Sequence, residues 1–325
     1  MSRLLSLRPL PPVAHAGVRL RTIPTTMKPP SHFLSLALLF YTLPTVGGTI
    51  DGVSKSVAFL WKNIPAKETI NGVDHEVWYK KPGTNQFFPK QSIISGTGCF
   101  VVSSNLAFLV TARHVAAALG DTFEAVLQGQ SNEPLRIAVP RFTGNAPLRW
   151  VHHAVADISV YPLPIIDASA IKVMEGRALP LDMLVSEHAA PSRDVAVTAL
   201  GFPFGLGAEG EFHPLSRESK AASGMLADTA GRFFVLQDPS VSGYSGGPLI
   251  ESADPRVVAT NPTFSGIAVV SGGGRCWGFV SGTFADETGG KMCRIVPARY
   301  AIDLVQQIWS EITVLTSDSQ PKEGP

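Results

Sequence analysis

A serine set among glycines, a histidine that closes an apolar run and an aspartate that opens one supply the three groups needed for nucleophilic acyl chemistry. The serine is Ser245, within Ser-Gly-Tyr-Ser-Gly-Gly-Pro at 242–248. The histidine is His114, at the end of Phe-Leu-Val-Thr-Ala-Arg-His (108–114), and the aspartate is Asp157, in Ala-Asp-Ile-Ser-Val-Tyr-Pro-Leu (156–163). A serine hydroxyl is too weak an acid to ionise near neutral pH. It needs an imidazole to take its proton, and the imidazole needs a carboxylate to fix its tautomer and stabilise its charged form. Glycines beside the serine keep bulk away from an approaching carbonyl, and they free backbone N–H groups to face the oxygen that becomes negative. Each residue alone reads as well as a turn or strand residue. Together, in the order histidine, aspartate, serine, they point to chemistry.

These side chains have to be held by strands. The runs before His114 and after Asp157 are apolar or alternating, which is the β pattern. Val-Ala-Phe-Leu-Trp at 57–61 and His-Glu-Val-Trp-Tyr at 75–79 read as further strands joined by Asn71-Gly72 turn chemistry. Residues 164–192 are rich in proline and alanine and read as a bridge between two halves, while Ser271-Gly272-Gly273-Gly274 reads as a hairpin tip. Ala301, Leu304, Val305, Ile308, Trp309 and Ile312 follow helical spacing, so a C-terminal helix is expected to pack its apolar face on the second half.

The three motifs together resemble the chymotrypsin-like serine peptidases, in particular the bacterial trypsin-like branch that includes the Deg proteases. Arg-Asp-Val-Ala-Val-Thr-Ala-Leu-Gly-Phe-Pro-Phe-Gly-Leu at 193–206, Gly-Phe-Val-Ser-Gly-Thr at 278–283 and Cys-Arg-Ile-Val-Pro-Ala at 293–298 extend the likeness over roughly 94–310. The resemblance implies an all-β fold of two six-stranded antiparallel Greek-key barrels with the site in the cleft between them. The expected layout has an N-terminal barrel with an extension over 49–165, a linker over 166–192 and a C-terminal barrel over 193–298. A C-terminal helix over 299–315 and a polar tail over 316–325 complete it, leaving no room for an appended peptide-binding domain. By the same likeness, His114 is the general base, Asp157 orients it, Ser245 is the acylated nucleophile, and the N–H groups of Gly243 and Ser245 form the oxyanion hole. Ser281 supports the aspartate, and Pro239, Ser240, Ser281, Gly282 and Thr283 contact substrate. The implied activity is hydrolysis of protein or peptide substrates without a cofactor. Two alternatives stand beside it: an impaired relative that uses the barrels as a binding module, and an esterase with the same triad, although the usual esterase fold has its serine first.

Three departures shape this reading. Tyr244 stands where digestive relatives carry an aspartate that grips a newly cut N-terminus, so activation by such an ion pair is not expected. Pro239 stands where trypsin carries its specificity aspartate, with Asp238 one place further out. Thr283 replaces a common glycine and narrows the expected pocket.

Composition sets the remaining bounds. A chain of 325 residues with 45% hydrophobic content can bury a large core, and its 30 glycines and 26 prolines suit a turn-rich β protein. A net charge of +1 without a polybasic stripe argues against nucleic acid as a partner. Cys99 reads as a buried small hydrophobe, and Cys276 and Cys293 as either a hairpin disulfide or two separate thiols. No metal site is expected: adjacent His152 and His153 point to opposite faces of a strand. Residues 1–48 lack Asp and Glu, and the apolar run at 33–43 suits the core of an export signal and is too short for a membrane span. Small residues at Val46-Gly47-Gly48 offer a cleavage point. Met27 offers a second start, with 1–26 as an upstream extension. Organellar targeting is the alternative destination.

Overall fold

The protein is described by a computed structural model covering residues 49–103, 106–129, 131–139, 148–163, 173–174, 176–251, 274–285 and 290–317, with side chains to 311. The targeting segment, the expected hairpin tip at 271–273, the Ile312 side chain and the tail beyond Ser317 lie outside the described residues. Among the described residues, no helix is long and apolar enough to cross a membrane.

The first half is built on six strands: β1 (Val57–Pro65), β2 (Gln91–Ser103), β3 (Leu106–Thr111), β4 (Glu124–Gln128), β5 (Pro134–Ala138) and β6 (Ser159–Leu163). They hydrogen-bond in the order β6-β3-β2-β1-β4-β5, all antiparallel. Short strands at Val151–His152 and Leu179–Pro180 add to this sheet, the second pairing in parallel with β2. Phe123, Trp150 and Tyr161 close one end of its core, with ring centroids 5.2–5.8 Å apart. Contacts of this kind contribute about 0.5–1.5 kcal/mol each beyond burial. Their polar edges are satisfied: the Trp150 indole donates to Gly120 O at 2.9 Å and the Tyr161 hydroxyl to Leu148 O at 3.1 Å.

The second half carries β7 (Ala196–Gly201), β8 (Leu215–Lys220), β9 (Gly231–Leu236), β10 (Pro248–Glu251), β11 (Arg275–Ala285) and β12 (Lys291–Pro297). The order β8-β7-β10-β11-β12-β9 comes back on itself. Ala221, just past β8, bridges to Leu236 of β9, supported by Ala222 N–H to Val235 O at 2.8 Å and Gln237 N–H to Lys220 O at 3.0 Å. The sheet is thereby a closed six-stranded barrel, and Leu226–Asp228 forms a small hairpin with β9.

Asn71-Gly72 does make a hairpin turn, both residues having positive φ (53° and 80°). It joins Lys67–Ile70 to Val73–Glu76, however, and not 57–61 to 75–79. The run at 75–79 is split, since Trp78–Lys80 pairs with Phe87–Pro89. β1 bypasses this excursion and pairs directly with β2, Val57 opposite Cys99.

The C-terminal helix spans Arg299–Ser317 and buries Ala301, Ile302, Leu304, Val305 and Ile308. It packs on β6 of the first half as well as on β12, so its apolar face belongs to both halves and not to the second alone. One core cluster accordingly runs from Val101, Phe108 and Val110 through Phe202, Ile250 and Phe279 to the helix. The three cysteines are buried free thiols, which leaves the pair Cys276 and Cys293 unbridged.

Candidate active site

His114 follows β3 on a short helix, Arg113–Leu119, which buries Val115, Ala116 and Leu119 and leaves the histidine facing outward. Asp157 sits in the turn before β6, held by buried neighbours Ala156 and Ile158. The turn is tied down by His153: its N–H donates to Ile158 O at 3.1 Å, and its Nδ1 accepts from Ala156 N–H at 3.0 Å. The two residues meet through a double contact. His114 N–H donates to Asp157 Oδ1 at 3.0 Å, and His114 Nδ1 lies 2.9 Å from Asp157 Oδ2. An ionised carboxylate can only accept, so this contact places the imidazole proton on Nδ1 and leaves Nε2 as an open base. Ser281 Oγ donates to the same Oδ2 at 2.5 Å. Burial by itself would raise the Asp157 pKa, but the bonds from His114 and Ser281 outweigh it and hold the carboxyl below its ordinary value.

Ser281 reaches the aspartate because β11 bulges at that point. The register against β12 shifts between Val280, opposite Ile295, and Gly282, opposite Arg294, so Ser281 is the extra residue. Its carbonyl accepts from Ser245 Oγ at 3.2 Å. Ser245 is therefore linked to the same strand that supports Asp157, and among the described residues its hydroxyl makes no hydrogen bond to His114.

Residues 241–247 form a tight turn around the serine. Tyr244 N–H donates to Val241 O at 3.2 Å and Gly247 N–H to Tyr244 O at 2.8 Å, while Gly246 N–H reaches Val280 O at 2.7 Å. Gly243 and Gly246 have φ of 104° and 87°, and a Cβ on either would lie within 2.2 Å of another atom. Glycine is required at both positions. Among the described residues, the N–H groups of Gly243 and Ser245 meet no protein acceptor. Phe204 N–H donates to Ser242 O at 2.9 Å, fixing the peptide unit that carries the Gly243 N–H. Phe204 does so from a left-handed conformation (φ 54°), and the residue is 75% exposed.

Thr97 is a further member of this site that motif reading did not single out. Its N–H donates to Ser245 O at 2.9 Å, and its Oγ1 donates to Gly243 O at 2.6 Å while accepting from Phe202 N–H at 3.1 Å. Its own carbonyl accepts from Thr111 Oγ1 at 2.6 Å. One first-half residue thus binds the serine turn to both halves. The only sequence hint is its place between two glycines on a strand, a pattern of close backbone approach.

Of the residues expected to contact substrate, Ser281 and Gly282 form the bulge, and Pro239 and Ser240 line a cavity of about 10 Å³, room for roughly one water. Thr283 Oγ1 donates to Ser240 O at 2.8 Å, and Cys293 N–H donates to Asp238 O at 3.1 Å, stitching the 238–240 segment to β11 and β12. The Asp238 carboxylate is occupied: Ser219 Oγ donates to it at 2.7 Å, and Arg217 stands 4.0 Å away. Burial pushes the Cys293 thiol in the same cavity up to about 12, so it stays protonated. His152 and His153 diverge, one reaching Ser159 Oγ at 2.6 Å and the other meeting the Tyr300 ring at a tilt, with centroids 4.6 Å apart. Among the described residues, no group of three or more His, Cys, Asp or Glu could hold a metal ion.

Residues 96–259 match the family described as the trypsin-like peptidase domain. No curated protein matches the chain. Among solved structures, it is similar to the MamO protease domain from Magnetospirillum magneticum, with 13% identity and a TM-score of 0.45, covering 78% of this chain and 96% of that one. It is also similar to a thermostable serine protease, AL20, from an extremophilic microorganism, with 15% identity and a TM-score of 0.40, covering 77% and 98%.

Proposed function

The chain belongs to the trypsin-like peptidase family, and from that premise we propose that it is a serine endopeptidase acting through Ser245, His114 and Asp157. The observation that carries the proposal is the continuous hydrogen-bonded line from His114 through Asp157 to Ser281, whose carbonyl holds the Ser245 hydroxyl. The mechanism requires the Ser245 side chain to rotate off Ser281 O so that its Oγ meets His114 Nε2. Catalytic hydrogen bonds are commonly loose without substrate and tighten when it binds.

Ser245 Oγ then attacks the scissile carbonyl carbon as His114 Nε2 takes the hydroxyl proton. The carbonyl oxygen becomes negative and lies against the N–H groups of Gly243 and Ser245. As the C–N bond breaks, His114 returns the proton to the leaving amine, and an ester to Ser245 remains. Water, deprotonated by His114, attacks that ester; the carboxylic acid departs and Ser245 regains its proton. Asp157 stays ionised throughout and stabilises the imidazolium. The Ser281 carbonyl, released by the serine, accepts the N–H of the residue on the acyl side of the cut.

The pocket residues favour a small, uncharged side chain at that position. The seam from Thr283 to Ser240 leaves little volume, and Arg217 and Ser219 already hold the carboxylate of Asp238. The test is cleavage of a mixed peptide library, with the products read by mass spectrometry. We expect cuts after small uncharged residues, absent in Ser245→Ala and His114→Ala. Hydrolysis of simple esters without any peptide cleavage would favour the esterase reading, and neither activity would favour a binding module.

A further inference from the structure

Tyr244 directly precedes the proposed nucleophile, yet its side chain turns away from the cleft and only 5% of the residue is exposed. Its ring is part of the second barrel's core, with Val197, Ala199, Phe234, Leu249 and Val280. Gly201 makes the space: a Cβ there would stand 2.8 Å from Tyr244 Cδ1. The backbone of Tyr244 is fixed at both ends, by its N–H to Val241 O and its carbonyl from Gly247 N–H. The two unpartnered N–H groups, of Gly243 and Ser245, belong to the residues on either side of it. A ring locked in the core therefore sets the direction of both.

The hydroxyl has no part in this. Among the described residues it makes no hydrogen bond. Arg217, in the small cavity that Tyr244 helps to line, already faces Asp238, so an acidic side chain at this place would compete for that cation to offset its desolvation, whereas an aromatic ring needs only the neighbours it has.

We propose that Tyr244 is a positioning residue whose ring, through packing alone, holds the oxyanion hole in its working shape, so that no ionic partner is needed to form it. This rests on Ser245 being the nucleophile.

The test is the rate at which a fluorophosphonate phosphonylates Ser245, a step in which Oγ–P forms, P–F breaks and the hydroxyl proton passes to His114. The phosphoryl oxygen occupies the oxyanion hole, so the rate reads the hole directly. In Tyr244→Ala the rate should fall about 10²-fold or more, the cost of a lost oxyanion donor, with the midpoint of its pH profile unmoved because His114 is untouched. Tyr244→Phe should react close to the wild-type rate. Leu127→Ala, which opens the core of the first half away from Tyr244, should lower thermal stability while keeping the rate of the folded protein. A wild-type rate in Tyr244→Ala would overturn the inference, and so would a Tyr244→Phe variant as slow as Tyr244→Ala. If Tyr244→Ala does not fold, Tyr244→Leu decides: it keeps an apolar side chain but not the ring, and an unchanged rate would overturn the inference. A wild-type protein that does not react at all overturns this inference together with the proposed peptidase, whereas a reactive wild type with an unaffected Tyr244→Ala overturns this one alone.

Discussion

Asp157 accepts three hydrogen bonds, two from His114 and one from Ser281, and what it does follows from being acceptor-only. An asparagine in its place would offer an N–H to His114 Nδ1 and move the imidazole proton to Nε2, where the base must be empty. Asp157→Asn is therefore expected to fold and to lose about 10⁴-fold in turnover, the scale of a wrong-tautomer defect. The same carboxylate has a pH signature. Its folded pKa lies below the ordinary value of 3.8, so the stability it adds is fully present above that value and is lost as pH falls through the folded one. Chemical denaturation between pH 5 and pH 2 should show wild type losing more stability than Asp157→Asn. Parallel losses would contradict this account of the aspartate.

At the scale of the elements, the serine turn is held from outside by β2. Thr97 is fully buried, and its hydroxyl both donates to Gly243 O and accepts from Phe202 N–H. Thr97→Val keeps the shape but leaves two backbone groups without partners, which costs about 1–3 kcal/mol for each buried group. Thr97→Ser keeps the hydroxyl. We expect a lower urea midpoint and slower serine labelling in the valine variant, both largely restored by serine; equal behaviour of the two variants would refute the tie. This arrangement was not legible in the sequence. His114, Asp157 and Ser245 could be found because their chemistry is tied to residue type and order. The role of Thr97 arises from tertiary register, since β2 meets the serine turn only after both halves are built. The bulge at Ser281 is similar, because a one-residue shift against β12 leaves no mark in an alternating pattern.

Across the whole molecule, individual strands and the C-terminal helix could be read from alternation and helical spacing, and the all-β class with antiparallel strands followed from the family resemblance. What could not be read was where elements pack once they are formed. The helix shares its apolar face between β6 and β12, a choice that its own periodicity does not encode. The excursion at 66–90 was misjoined for a related reason. Asn71-Gly72 specifies a turn, but β1 finds its partner in distant β2 through long-range pairing. In the proposed peptidase the two halves share one site, with His114 and Asp157 from the first and Ser245 and the Ser281 bulge from the second. The central claim is that this site makes Ser245 the reactive hydroxyl of the chain. The most direct measurement is to treat the folded protein with a fluorophosphonate at neutral pH and map the adduct by peptide mass spectrometry. The account predicts a single phosphonyl group on the peptide containing Ser245, and none in His114→Ala. No adduct on the wild-type protein, or an adduct on a different residue, would contradict it.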